Sequence, residues 1–178
     1  MKIVETKYYN GAREKVQRLG ISMFADVQAL LTRCEVRLLE ETDTNSGAAV
    51  RELIDALFAK EGGWTKMQTG GIDWRKTKRI NGTELAIGVE VQVSARSDLV
   101  VVDIMHLRDA IESGAIDIGV IVVPSDAMAR FLTDRAPTFR ETILAVEERT
   151  RSTHLPIVIL AVEHDGPGSA LPKRKRRT

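Results

Sequence analysis

The sequence predicts an α/β fold, a mixed β-sheet with an antiparallel meander flanked by α-helices. Three observations predict it. The run Leu85 to Ser94 alternates Ile87, Val89, Val91 and Val93 with Gly88, Glu90, Gln92 and Ser94, the period of a strand that sends its branched residues to one face and Glu90 and Gln92 to the other. Just before it, Asn81-Gly82 is a strong hairpin signal, because both residues tolerate the positive φ of a tight two-residue turn. Ala115 to Pro124 is β-branched with almost no polar break, as in a strand buried on both faces in the middle of a sheet.

In chain order, Lys2-Ile3-Val4 reads as a short strand and Arg13 to Leu19 as a short helix. From Ile21 to Glu41 the apolar positions Phe24, Val27, Leu30, Leu31, Cys34, Leu38 and Leu39 recur at three-to-four spacing, which predicts an amphipathic helix. Asp43 to Gly47 breaks that pattern, and Ser46 is placed to cap a second helix carrying Val50, Leu53, Ile54, Leu57 and Phe58. Gly62-Gly63 ends it. Trp64 to Thr69 reads as a strand, Gly70-Gly71 as a turn, and Ile72 to Ser94 as the hairpin. Ser97 or Asp98 opens a helix through Ile111, closed by Ser113-Gly114. After the buried strand come helical stretches Ser125 to Thr133 and Thr138 to Arg149, then a last strand, Pro156 to Glu163.

With 178 residues, 43% hydrophobic and 29% charged, the chain is large enough for one real core. We expect a single domain over residues 1–163 and a flexible basic tail over 164–178. The net charge of +1 conceals an asymmetry: Lys173 to Arg177 hold five of the 26 basic residues, which leaves 21 against 25 acidic ones in the body. Affinity for a polyanion must therefore come from local patches. The single cysteine, Cys34, excludes an internal disulfide and a cysteine-based zinc site. No apolar run approaches the roughly 18 residues of a membrane span, and no signal-peptide h-region is evident. The expectation is a cytoplasmic protein with no membrane association.

The hairpin turn also sets a register. If Asn81 and Gly82 are the loop residues, Ile80 pairs with Thr83, Arg79 with Glu84, and Asp73 falls opposite Glu90. Two like charges held about 5 Å apart on one face destabilise a sheet. A divalent cation between them reverses that sign, since hard cations such as Mg²⁺ take carboxylate oxygens. On pattern alone, Asp73, Glu90 and Gln92 read more simply as the polar face of a solvated hairpin.

Ile72-Asp73-Trp74, then Gly88-Val89-Glu90-Val91-Gln92-Val93, then Asp103 to Leu107 on a helix, then Gly114 to Pro124, together resemble the PD-(D/E)XK nuclease superfamily. Within it they are similar to the BglII/BstYI group of type II restriction endonucleases, which has Glu-x-Gln where most of the superfamily has Glu-x-Lys. Asp73 and Glu90 are 17 positions apart, a longer hairpin than usual in the group, and the symmetric Asn81-Gly82 turn restores their pairing.

The resemblance covers roughly residues 50 to 163 and implies a restriction-endonuclease-like core. It implies hydrolysis of DNA phosphodiesters with Mg²⁺, leaving 5′-phosphates. Asp73 and the Val91 carbonyl would hold the metal, and Glu90 would share it or position the attacking water. Gln92 would orient water or phosphate, because an amide neither titrates near neutrality nor carries charge. Glu52, on the helix before the meander, is a candidate additional acid, although a solvated helix charge is the commoner role. Arg75, Lys76, Lys78, Arg79 and Arg96 are candidate DNA contacts, the first four as a basic run near the site.

His106 reads as a packed or solvent-facing histidine, His154 and His164 flank the last strand with nothing to pair them with a metal site, and Cys34 reads as a core residue. The partner implied is double-stranded DNA, at a short palindromic site read by a homodimer whose two-fold symmetry matches it. Two other readings fit the same residues: a repair or structure-specific nuclease, and a catalytically silent DNA-binding or scaffold protein of the same fold.

Overall fold

The computed structural model describes residues 1–19, 21–67, 71–94, 96–133 and 135–172. Its centre is a six-stranded sheet: β1 (Lys2–Tyr8), β2 (Trp64–Lys66), β3 (Trp74–Ile80), β4 (Thr83–Val91), β5 (Ile118–Pro124) and β6 (Ile157–Glu163), in the order β1-β6-β5-β4-β3-β2. β2, β3 and β4 form an antiparallel meander, β4, β5 and β6 run parallel, and β1 closes the far edge antiparallel to β6. The helices are α1 (Ala12–Leu19), α2 (Ile21–Arg33), α3 (Gly47–Lys60), α4 (Val100–Glu112), α5 (Asp126–Ala129) and α6 (Phe139–Leu144), the last running on into a π-helical turn at Ala145–Arg149.

Two apolar clusters cover the two faces of the sheet. Ile87, Val89, Val91, Val120, Val122 and Leu160 pack with α2 and α3 residues on one face. Ile121, Val123, Ile159 and Ala161 pack with Val100, Ile104 and Leu107 of α4 on the other. Every residue of β5 is buried, which explains its unbroken apolar run.

α3 matches its sequence signals closely. Ser46 accepts a hydrogen bond from the Ala49 amide and caps the helix, a contact worth about 1 kcal/mol. Phe58 stacks on Trp74 at 5.5 Å and meets Trp64 edge-on at 4.9 Å, pinning α3 to the meander. That packing carries Arg51 and Asp55 to the end of β3.

Three expectations are corrected. The helix expected to reach Glu41 stops at Arg33, because Cys34, Val36 and Leu38 are buried while Glu35 and Arg37 are exposed, an alternation with the period of extended chain. The helix expected over Ser125 to Thr133 is a single turn, α5. Residues 164–172, expected as the start of a flexible tail, are held against the body: His164 is buried, Asp165 accepts from the Val36 amide at 2.9 Å, Leu38 bridges Pro167, and Leu171 is hydrogen-bonded to Asn45 and Ser46. Buried backbone groups need such partners, and the 34–46 segment supplies them. The Lys173 to Arg177 run lies outside the described residues, as do Thr69 of the expected strand and Gly70 of the expected turn.

Candidate active site

The Asn81-Gly82 turn has positive φ at both residues, 50° and 83°, and every β3 to β4 pair sums to 163, from Ile80↔Thr83 to Trp74↔Val89. The register read from the turn therefore holds along the whole ladder. Asp73 lies one residue past its end. There its carboxylate does the work of a missing strand: Oδ2 accepts the Val91 N–H at 2.9 Å. The Val91 carbonyl in turn accepts from Arg51 of α3, whose Nη2 also contacts Asp73 Oδ1 at 2.5 Å and whose Nε lies 3.1 Å from Asp55 Oδ1. Asp55 is fixed by the Trp74 indole N–H at 2.8 Å. Burial works to raise the Asp55 pKa, but the Trp74 hydrogen bond and the Arg51 charge hold it below the usual carboxylate range.

Glu90 and Gln92 face the side opposite the branched residues, as alternation requires, but not toward open solvent. They are only 3% and 5% exposed, and α4 meets Glu90 through Asp103 and His106. Burial, a hydrogen bond with Asp73, and the charges of Asp73 and Asp103 push the Glu90 pKa up to about 10, against an opposing pull from Arg51. Glu90 is thus a neutral acid at pH 7 unless a cation joins it. Asp103 is pushed up to about 7, chiefly by burial and then by the Asp73 charge.

α4 contributes Asp103, for which the sequence suggested no individual role, and His106, expected only as a packed or solvent-facing histidine. Asp103 and His106 lie one turn apart on the face toward β4, and ligand atoms of Glu90, Asp103 and His106 all fall within 4.8 Å of one another. His106 Nδ1 is 3.4 Å from Glu90 Oε1 without hydrogen-bond geometry. The signal available in the sequence was the i, i+3 spacing of Asp103 and His106 on a helix following the Glu90 strand. Arg51 carried no such signal, since nothing local distinguishes it from any other helical arginine.

The remaining expected residues separate. Glu52 is exposed and borders a cavity with Leu53, Leu171 and Pro172, away from the Arg51 side of α3. Alternation divides the basic run, leaving Arg75 and Arg79 on the Glu90 face and Lys76 and Lys78 on the other. Lys76 pairs with Asp26 at 2.7 Å, and Arg75 donates to the Ala115 carbonyl. Arg79 lies six strand positions from Asp73, roughly 20 Å away at the turn end of the hairpin. The expected nearness of the whole run to the site therefore fails, because the strand carries its basic residues away from the carboxylates. Arg96, in the segment after β4, makes a two-point pair with Asp98. A groove of about 530 Å³ runs between Ser97 and the Asp126 to Leu144 region.

A family model described as restriction endonuclease BglII/BglIII matches residues 4–162. The chain belongs to this family. As a BglII/BglIII-family member it is a type II site-specific deoxyribonuclease. The structure of BglII complexed with a DNA 16-mer is similar at a TM-score of 0.68, with 13% identity, over 100% of this chain and 88% of that one. Free BglII is similar at 0.59, with 12% identity, over 93% and 81%. At such identities the likeness shows the fold, a restriction-endonuclease-like core. No curated protein matches the sequence. Among the described residues, no helix of this family member is long and apolar enough to cross a membrane.

Proposed function

We propose that this BglII/BglIII-family chain is a Mg²⁺-dependent restriction endonuclease that cuts double-stranded DNA at a short palindromic site as a homodimer and leaves 5′-phosphates. The observation that carries the reading is the convergence of Asp73, Glu90 and the Val91 carbonyl at the end of the β3–β4 hairpin. These are hard oxygen donors. Arg51 spans Asp73 and Val91 there, so the place already accommodates positive charge, and the Glu90 carboxyl is buried and hydrogen-bonded with Asp73. The donor set therefore fits Mg²⁺, with Asp73, Glu90 and the Val91 carbonyl as its holders.

Bound there, Mg²⁺ would polarise the phosphoryl oxygen and lower the pKa of a bound water. The chain's own residues prepare the ground for that. The Val91 amide fixes the Asp73 carboxylate, Arg51 keeps it oriented, and α4 excludes bulk water from Glu90. Gln92, on the same face as Glu90, presents an amide that orients water or a phosphate oxygen without taking its proton.

The DNA contacts supported by placement are Arg75, on the site face two residues from Asp73, and Arg96, in the segment after β4. Lys76, Lys78 and Arg79 would serve only a DNA path that runs along the hairpin.

The test is incubation of purified protein with phage and plasmid DNA, with Mg²⁺ and with EDTA. Discrete fragments that ligate without prior phosphorylation are expected, together with loss of cutting in Glu90→Ala and in Asp73→Asn. Smears or structure-dependent nicks favour a repair-type nuclease, no cleavage across metals and DNAs favours a silent binding protein, and full activity of Glu90→Ala overturns the site. Sedimentation of the protein in solution tests the dimer.

A further inference from the structure

Between β4 and α4, three buried polar atoms have no hydrogen-bond partner: Glu90 Oε1, Asp103 Oδ2 and His106 Nδ1. Glu90 is 3% exposed. Unpartnered buried polar atoms are costly, at roughly 1–3 kcal/mol each, and native proteins satisfy nearly all of them. Three in one place, two acids and an imidazole, make a donor set.

We propose that Glu90, Asp103 and His106 form a second divalent-cation site, separate from the Asp73 and Val91 edge, that takes an ion accepting imidazole nitrogen, with Zn²⁺ as its type. Their ligand atoms lie within 4.8 Å of one another. Two ligands on one zinc, each at about 2.0–2.2 Å, can be at most about 4.4 Å apart, so small rotamer adjustments close the set. The nitrogen donor decides the selectivity: imidazole suits Zn²⁺ and Ni²⁺, whereas Mg²⁺ and Ca²⁺ prefer oxygen alone. The Asp73 edge offers no nitrogen ligand, since the Arg51 guanidinium there is a permanent cation. Glu90 is common to the two sites. Its capture by Zn²⁺ withdraws it from Asp73, so that consequence, inhibition of Mg²⁺-dependent cutting by Zn²⁺, rests on the function proposed above; the binding itself does not.

The experiment is isothermal titration of untagged full-length protein, without DNA, with Zn²⁺ alone and with Mg²⁺ alone, for wild type, His106→Gln and Asp73→Asn. The His106→Gln change is expected to weaken Zn²⁺ binding at least about tenfold and to leave Mg²⁺ binding unchanged. Asp73→Asn is expected to do the reverse. Circular-dichroism melts establish that each variant folds; if His106→Gln melts early, Asp103→Asn replaces it under the same criterion. Zn²⁺ affinity that is unaltered in His106→Gln, or lost equally in Asp73→Asn, overturns the proposal. A protein that cuts DNA with Mg²⁺ but has no His106-dependent Zn²⁺ site refutes this inference alone, and one that binds Zn²⁺ through His106 but cuts no DNA refutes the cleavage reading alone.

Discussion

Glu90→Gln is expected to stabilise the metal-free protein while abolishing cleavage, and the pH dependence of the effect tests the physical reason. In the unfolded chain Glu90 loses its proton near 4.5, whereas in the native structure burial and the neighbouring Asp73 and Asp103 hold it to about 10. Between those limits the native state binds a proton that the unfolded state has released. The contribution of Glu90 to stability is therefore fully present below about pH 4.5 and is lost as pH rises toward 10. The limiting slope is about 1.4 kcal/mol per pH unit.

Asp103 adds a slope of the same sign, confined to the interval between 3.8 and about 7. Above pH 7 Glu90 acts without it. For a chain of this length 1 kcal/mol moves Tm by about 2–4 °C, so wild type should lose about 3–6 °C per pH unit relative to Glu90→Gln between pH 7.5 and 9.5. The assay is a pair of thermal melts in EDTA across that range. Parallel Tm-versus-pH curves for the two proteins would refute the claim that Glu90 is held neutral by its surroundings.

Three further outcomes are expected. Arg51→Met removes the one cation shared by Asp73, Asp55 and the Val91 carbonyl, and should cost roughly 3 kcal/mol, read as a fall in Tm of about 6–12 °C; a fall under 2 °C would show that the network carries little. Gly88→Val places a Cβ 2.7 Å from Ile116 Cδ1 and 2.8 Å from Ile72 Cδ1, and urea titration should show a loss of about 1–3 kcal/mol. Gly82→Val must hold a branched residue at φ +83°, with a cost of about 1–3 kcal/mol and no effect on Mg²⁺ affinity, because the turn is at the opposite end of the hairpin from Asp73.

What the sequence determined by itself was local and periodic. The Asn81-Gly82 turn fixed the register of β3 on β4, because a two-residue loop leaves the ladder no freedom to slip. The alternation from Leu85 to Ser94 separated Glu90 and Gln92 from the branched residues, and the unbroken run at β5 placed it inside the sheet. Tertiary structure decided what surrounds those groups. That Glu90 is buried follows from α4 docking on its face, which no feature of its own strand specifies. Arg51 and His106 join the site from helices about 40 residues before and 16 residues after Glu90, through the Phe58 to Trp74 contact and the Leu107 face of α4. The basic run shows the converse. Its four cations fall within five consecutive positions, but a strand extends them over roughly 13 Å or more and onto two faces, so closeness along the chain did not bring the run as a whole to the carboxylates.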